Sequence, residues 1–83
     1  MLEVAIVAAK RTAVGNFAGT LASVSADELG ATVIRQLLLE TGVSADQISE
    51  VILGQVLTGG QGQNPARKAT INAGLPDTCP AIT

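Results

Sequence analysis

"VILGQVLTGGQGQNPARKATINAG", residues 51–74, decides how this chain folds. Val51 to Leu57 is short, aliphatic and bounded by a glycine cluster, which predicts a strand. Asn64 suits a helix N-cap, and Pro65 takes the first helical position, where its missing N–H is harmless. The helix so begun is expected to reach Ala73 and to stop at Gly74 and Pro76. Between strand and helix lie Gly59, Gly60 and Gly62 with Gln61 and Gln63, a composition that raises the question of phosphate binding.

Phosphate chemistry sets stricter terms than these residues meet. A Walker-type loop ends in Gly-Lys-Ser/Thr, so that the lysine reaches the terminal phosphates, and the chain has no Gly-Lys pair. A dinucleotide fingerprint is G-x-G-x-x-G; Gly60 and Gly62 begin it, but Pro65 stands at the third glycine. A proline there has no N–H to offer an anion.

Upstream, "VSADEL", residues 24–29, opens a longer helix. Ser25 is the expected N-cap, Glu28 completes a capping box, and Val24 and Leu29 are spaced for a hydrophobic staple. Leu29, Val33 and Leu37, widened by Ile34 and Leu38, form an apolar stripe opposite Glu28, Arg35, Gln36 and Glu40. Gly42 ends the helix, and Ser44 with Gln47 predicts one further turn. Val4 to Ala9 is continuously apolar, which predicts a strand covered on both faces. Lys10 to Ser23 reads as a long loop. Strand, helix and strand then make a βαβ unit with a right-handed crossover, and "CPAIT", residues 79–83, leads into a third strand. The fold class is therefore α/β, with an incomplete sheet whose open edges are expected to leave the chain poorly folded alone, as a piece of a larger domain.

Composition removes several function classes. The chain has 83 residues, 47% of them hydrophobic, and Phe17 is its one aromatic. Net charge is −2 and basic residues are scattered, so neither the basic stripe nor the stacking platform of a nucleic-acid binder is present. With no histidine and Cys79 as the one cysteine, a Cys/His zinc site and an internal disulfide are excluded. Val4–Ala9 is far short of the roughly 20 residues of a membrane span, and no cationic residue precedes it as in a signal peptide. The expected location is cytoplasmic.

Few residues look chemical. Cys79 lies between Thr78 and Pro80, away from any predicted helix start, and reads as an inert, buried or half-buried thiol. Arg11 and Thr12 follow the first predicted strand, where ligands gather at carboxyl ends, but the favoured reading is an ion pair for Arg11 and the start of a turn for Thr12. Arg67 could bind a ligand, tie down the glycine loop or cross a subunit boundary.

Taken in order, "VAIVAAKRTAVGNFAGTLASVSADELG" (4–30), "EVILGQVLTGGQGQNPARKA" (50–69) and "INAGLPDTCPAIT" (71–83) closely resemble the N-terminal end of the thiolases, the acetyl-CoA acetyltransferases and 3-ketoacyl-CoA thiolases. Arg11-Thr-x-x-Gly15-x-Phe17-x-Gly19 and Gly62-Gln-Asn-Pro-Ala-Arg67 are specific as a pair. Departures are Ala13 for the usual proline, Asn16 for lysine, Lys68 for glutamine and Cys79 for valine.

The resemblance implies a layered thiolase domain of mixed sheet and helices, present here in part over residues 1–83. It implies two-step acyl transfer between acyl-CoA and 3-ketoacyl-CoA, with one cysteine as acyl carrier and a second as acid/base. By the family pattern the nucleophile follows about five residues beyond Thr83, at a helix N-terminus that lowers a thiol pKa. No catalytic, cofactor-binding or metal-binding role then falls on these residues, and the 83-residue chain alone is expected to be inactive. Gln63, Asn64, Pro65 and Arg67 are expected as subunit-contact or scaffold residues of a homo-oligomer, a dimer or tetramer. Coenzyme A and acyl-CoA are substrates of the whole enzyme, with no nucleic acid and no membrane as partner. The alternative is a free-standing βαβ structural or interaction module with no enzymatic activity. A small nucleotide-binding protein is the third reading.

Overall fold

Ser25 begins the first helix as its chemistry requires. Its backbone is extended, and its hydroxyl oxygen accepts from the Glu28 N–H at 3.4 Å, filling one orphan donor of α1, Ala26–Thr41. That is the half of the expected capping box that forms. Gly42 closes the helix at φ 72° with its N–H donating to the Leu38 carbonyl at 3.0 Å. A single 3₁₀ turn, Ala45–Gln47, follows, and Gln47 Oε1 accepts from the Ser44 N–H at 3.1 Å. These features come from a computed structural model that describes residues 2–83.

The second helix, α2, Pro65–Asn72, also has the ends its sequence dictates. Asn64 caps it, Ala73 follows it, and Gly74 at φ 92° turns the chain away, with its N–H on the Ile71 carbonyl at 3.0 Å. The helices pack through small residues. Ala31 on α1 and Ala66 and Ala69 on α2 are buried, and a methyl added to Gly30 would meet Ala69 Cβ at 3.3 Å. Arg35 Nη1 donates to the Asn72 carbonyl at 2.9 Å, satisfying a last-turn acceptor of α2 from across the interface.

The sheet is shorter and differently connected than expected. Strand β1, Val51–Ile52, lies parallel to β2, Ala81–Ile82, with Val51 opposite Ala81 and Ile52 opposite Ile82. One more rung, from the Leu53 N–H to the Ile82 carbonyl at 2.9 Å, ends the ladder. The α/β class stands, and "CPAIT" does supply a strand. The strand expected at Val4–Ala9 does not form, and with it goes the βαβ unit that α1 was to bridge. Val4, Ile6 and Val7 are exposed instead. A strand exists by pairing rather than by local preference, and this segment pairs with nothing among the described residues. Val56 and Leu57 leave the expected second strand for the same reason and are exposed.

The core is thin. Ala31, Val51, Ala69, Ala73, Leu75 and Cys79 are buried together, and the largest fully buried side chain among the described residues is Thr70. The α1 stripe is only half-buried. It forms one wall of an open apolar groove of about 450 Å³, with Leu29, Val33 and Leu37 facing Ile48, Val51 and Leu53. Lys10 Nζ meets Glu40 Oε2 at 2.8 Å, an exposed pair that tethers the N-terminal segment to the far end of α1. The expected loop from Lys10 to Ser23 holds, with turns in its second half.

Candidate functional site

Three polar side chains, those of Asn64, Arg67 and Thr83, cluster at the start of α2. Among the described residues Asn64 is one of two non-glycine residues at positive φ, at 45°, a conformation that asparagine tolerates because its short amide bonds locally. Here the amide bonds both locally and at long range. Oδ1 accepts from the Arg67 N–H at 3.2 Å and from the Thr83 hydroxyl at 2.7 Å, while Nδ2 donates to the Ala81 carbonyl at 3.2 Å. The Thr83 hydroxyl is used twice, since Oγ1 also accepts from the Ala66 N–H at 3.0 Å.

Arg67 extends the same corner. Its guanidinium straddles the turn before β2, with Nη1 donating to the Cys79 carbonyl at 2.8 Å and Nη2 to the Asp77 carbonyl at 2.6 Å. Among the described residues it forms no ion pair. Pro65 is buried, whereas Gln63 is exposed and makes no hydrogen bond among the described residues. Three of the four residues singled out by sequence are thus brought together, and Gln63 stays outside.

This geometry bears on anion binding. The Ala66 and Arg67 N–H groups are the donors that a helix N-terminus offers a phosphate, and they are taken by Thr83 and Asn64. The glycine loop is held from the side. Lys68 Nζ donates to the Gln61 carbonyl at 3.3 Å, and Gln61 Oε1 accepts from the Ala26 N–H at 3.4 Å. Gly60 and Gly62 have φ of 75° and 79°, so their role here is backbone shape.

Other sequence candidates fare differently. Cys79 is 3% exposed, with its thiol 3.7 Å from the Pro80 carbonyl. Lys10, not Arg11, finds a carboxylate, and the Thr12 hydroxyl donates to the Ala13 carbonyl at 3.1 Å. No three Cys, Asp or Glu side chains gather as a metal site among the described residues, and no helix there is long and apolar enough to cross a membrane. Sequence reasoning missed Asp27. It is 6% exposed, with Lys68 Nζ at 3.8 Å and Asn72 Nδ2 at 3.4 Å, and it links the two helices. Its place in the first turn of α1 gave no sign of burial. The role of Thr83 also has no local sequence signal.

Comparison with known proteins identifies the scaffold that this corner belongs to. The family model described as the thiolase N-terminal domain matches residues 4–83. The chain belongs to the thiolase family. It is 67% identical over 82 residues to an acetyl-CoA acetyltransferase of Chromobacterium violaceum, covering 99% of this chain and 21% of that protein. It is 65% identical over 83 residues to the acetyl-CoA acetyltransferase of Pseudomonas aeruginosa and 60% to that of Cupriavidus necator, covering all of this chain and 21% of each. The chain thus spans about a fifth of the length of the curated thiolases it matches. In this chain the Asn64 and Arg67 side chains bond the backbone carbonyls of Asp77, Cys79 and Ala81, before and within β2.

Proposed function

We propose that this chain is the N-terminal part, residues 1–83, of a thiolase-type acyltransferase that condenses or cleaves acyl-CoA and 3-ketoacyl-CoA, of the acetyl-CoA C-acetyltransferase kind. It works in the cytoplasm within a homo-oligomer. These residues supply scaffold, completed by further strands into the family's layered domain, and Gln63, Asn64, Pro65 and Arg67 lie at or beside a subunit contact. They hold no catalytic group and no resident cofactor; coenzyme A arrives as substrate, and the reacting thiols lie on chain beyond Thr83.

One observation carries this division of labour. The Asn64 amide and the Arg67 guanidinium, the best ligand-binding groups at the corner, are bonded to the backbone and side chains of residues 77–83. Groups so used hold a segment in place and have little left for a substrate. Family membership and the names of the relatives support the acyl-transfer chemistry.

The test is CoA-dependent cleavage of acetoacetyl-CoA, measured on the full-length protein and on the purified 83-residue chain. Activity in the first and none in the second is expected. An inactive full-length protein, or an active 83-residue chain, overturns the proposal. Light scattering on the full-length protein checks the oligomer, and cell fractionation checks the location. The open edge of the two-residue β1 favours one rival, an interaction module that adds a partner's strand. A monomeric 83-residue chain that folds cooperatively would support that rival.

A further inference from the structure

The Thr83 hydroxyl occupies a position that a methyl group could not fill. It donates to Asn64 Oδ1 at 2.7 Å and accepts from the Ala66 N–H at 3.0 Å, so one atom bridges the N-cap and the second residue of α2. Asn64 is itself held from three sides, by Arg67, Thr83 and Ala81. The Ala66 N–H is an orphan helix donor whose partner in the structure is this side chain. The chain leaving β2 therefore departs in a direction fixed by a side chain, one residue after the ladder partner Ile82.

We infer that Thr83 is a positioning residue: its hydroxyl latches the end of β2 to the start of α2 and thereby aims the segment that follows. This rests on the functional reading above, in which that segment carries the acyl-accepting thiol. A strand of two residues is a weak lever for aiming anything, because it has few ladder bonds to resist rotation. The latch adds two bonds at the strand's end, where angular error grows fastest along the chain. Placement of a reacting atom within about 1 Å can govern a hundredfold in rate, so a small loss of aim registers in kcat. Substrate binding at other parts of the enzyme is left alone, and KM is the parameter expected to stay.

The experiment compares Thr83→Val, Thr83→Ala and Thr83→Ser in the full-length protein. Steady-state cleavage of acetoacetyl-CoA and thermal midpoints are measured for each. Thr83→Ser keeps the bridging oxygen and is expected to keep most of kcat. Thr83→Val and Thr83→Ala are expected to lose about tenfold or more in kcat, with KM within about twofold and soluble, folded protein. Wild-type kcat in either folded hydroxyl-free variant overturns the inference. So does a loss confined to KM, a Thr83→Ser variant as impaired as the valine one, or failure of both hydroxyl-free variants to fold, which would make the latch a stability element. An inactive wild-type protein overturns the functional reading, and this inference with it. An active wild type beside an active Thr83→Val overturns this inference alone.

Discussion

Arg67 and Cys79 are joined by a 2.8 Å hydrogen bond that runs from the guanidinium to a backbone carbonyl, while the cysteine thiol itself is buried. The two residues with the most reactive-looking side chains near the end of the chain therefore meet as structural parts. The second arm of the same guanidinium takes the Asp77 carbonyl at 2.6 Å, so a planar fork spans the turn that delivers the chain to β2. Lysine could not reproduce this, because its ammonium is a point charge without a fork.

Replacing Arg67 in the full-length protein is accordingly expected to lower stability in a graded way. Arg67→Lys should cost about 1 kcal/mol and Arg67→Ala about 2 kcal/mol, since each lost bond has a charged donor and the arginine is partly exposed. Urea denaturation midpoints at constant slope read the difference. Equal stability in all three proteins would mean that water satisfies both carbonyls and the fork does not hold the turn.

Asn64 has two separable contributions, its backbone conformation and its amide. Asn64→Gly relieves the cost of positive φ but removes three side-chain hydrogen bonds. Asn64→Ala removes the same bonds and keeps an unfavourable φ, which adds about 1 kcal/mol to a cap loss of about 1 kcal/mol. Asn64→Asp keeps Oδ1 as a stronger, charged acceptor for the Arg67 N–H and the Thr83 hydroxyl, and replaces the donor to Ala81 by an oxygen that the Ala81 carbonyl repels. Denaturation of the full-length variants is expected to rank aspartate above glycine and glycine above alanine. Alanine equal to glycine would show that the left-handed conformation carries no cost here.

These local chemistries were legible in the sequence. Ser25, Gly42, Asn64 with Pro65, and Gly74 mark helix ends because each satisfies or releases backbone groups within a few residues of itself. Strand ends were not legible. Val4–Ala9 has the composition of a buried strand, but it pairs with nothing among the described residues, and composition alone does not bring a partner. The corner at α2 was half-legible for the same reason. Asn64 and Arg67 stand out as residues, while the Asp77 and Thr83 groups they bond lie ten and nineteen positions away. Lys68 stands where the family usually has glutamine, and only its distance to Asp27 shows that it helps to bridge the helices.

The surface predicts how the 83-residue chain behaves by itself. Leu2, Val4, Ile6, Val14, Phe17 and Val56 are nearly fully exposed, and the α1 stripe opens onto an apolar groove. Small buried residues contribute little, at about 0.8 kcal/mol per buried methylene, against about 1–2 kcal/mol of backbone entropy for each ordered residue. The purified chain is expected to lack a cooperative thermal transition, to bind a hydrophobic dye and to self-associate as concentration rises. A sharp transition with dispersed amide resonances would show that the two helices and the short sheet suffice.

Gly30 tests the packing between the helices most directly. It lies in the middle of α1, where alanine is favoured over glycine by about 1 kcal/mol from propensity alone. A methyl at this position would stand 3.2 Å from Leu53 Cδ1 and 3.3 Å from Ala69 Cβ. The leucine tip can rotate away, but the Ala69 Cβ is fixed to the α2 backbone, so relief needs the helices to separate by a few tenths of an ångström. That movement also strains the Arg35 bond to Asn72 and loosens the contacts of Ala31 and Ala73. Overpacking of this kind costs about 1–3 kcal/mol, which exceeds the propensity gain. Gly30→Ala in the full-length protein is therefore expected to lose about 1 kcal/mol in urea denaturation, whereas Gly54→Ala, with nothing within 4 Å, has no such clash to pay. A stabilised Gly30→Ala variant would mean that the helices have slack at their closest approach and that the small-residue interface does not set their spacing.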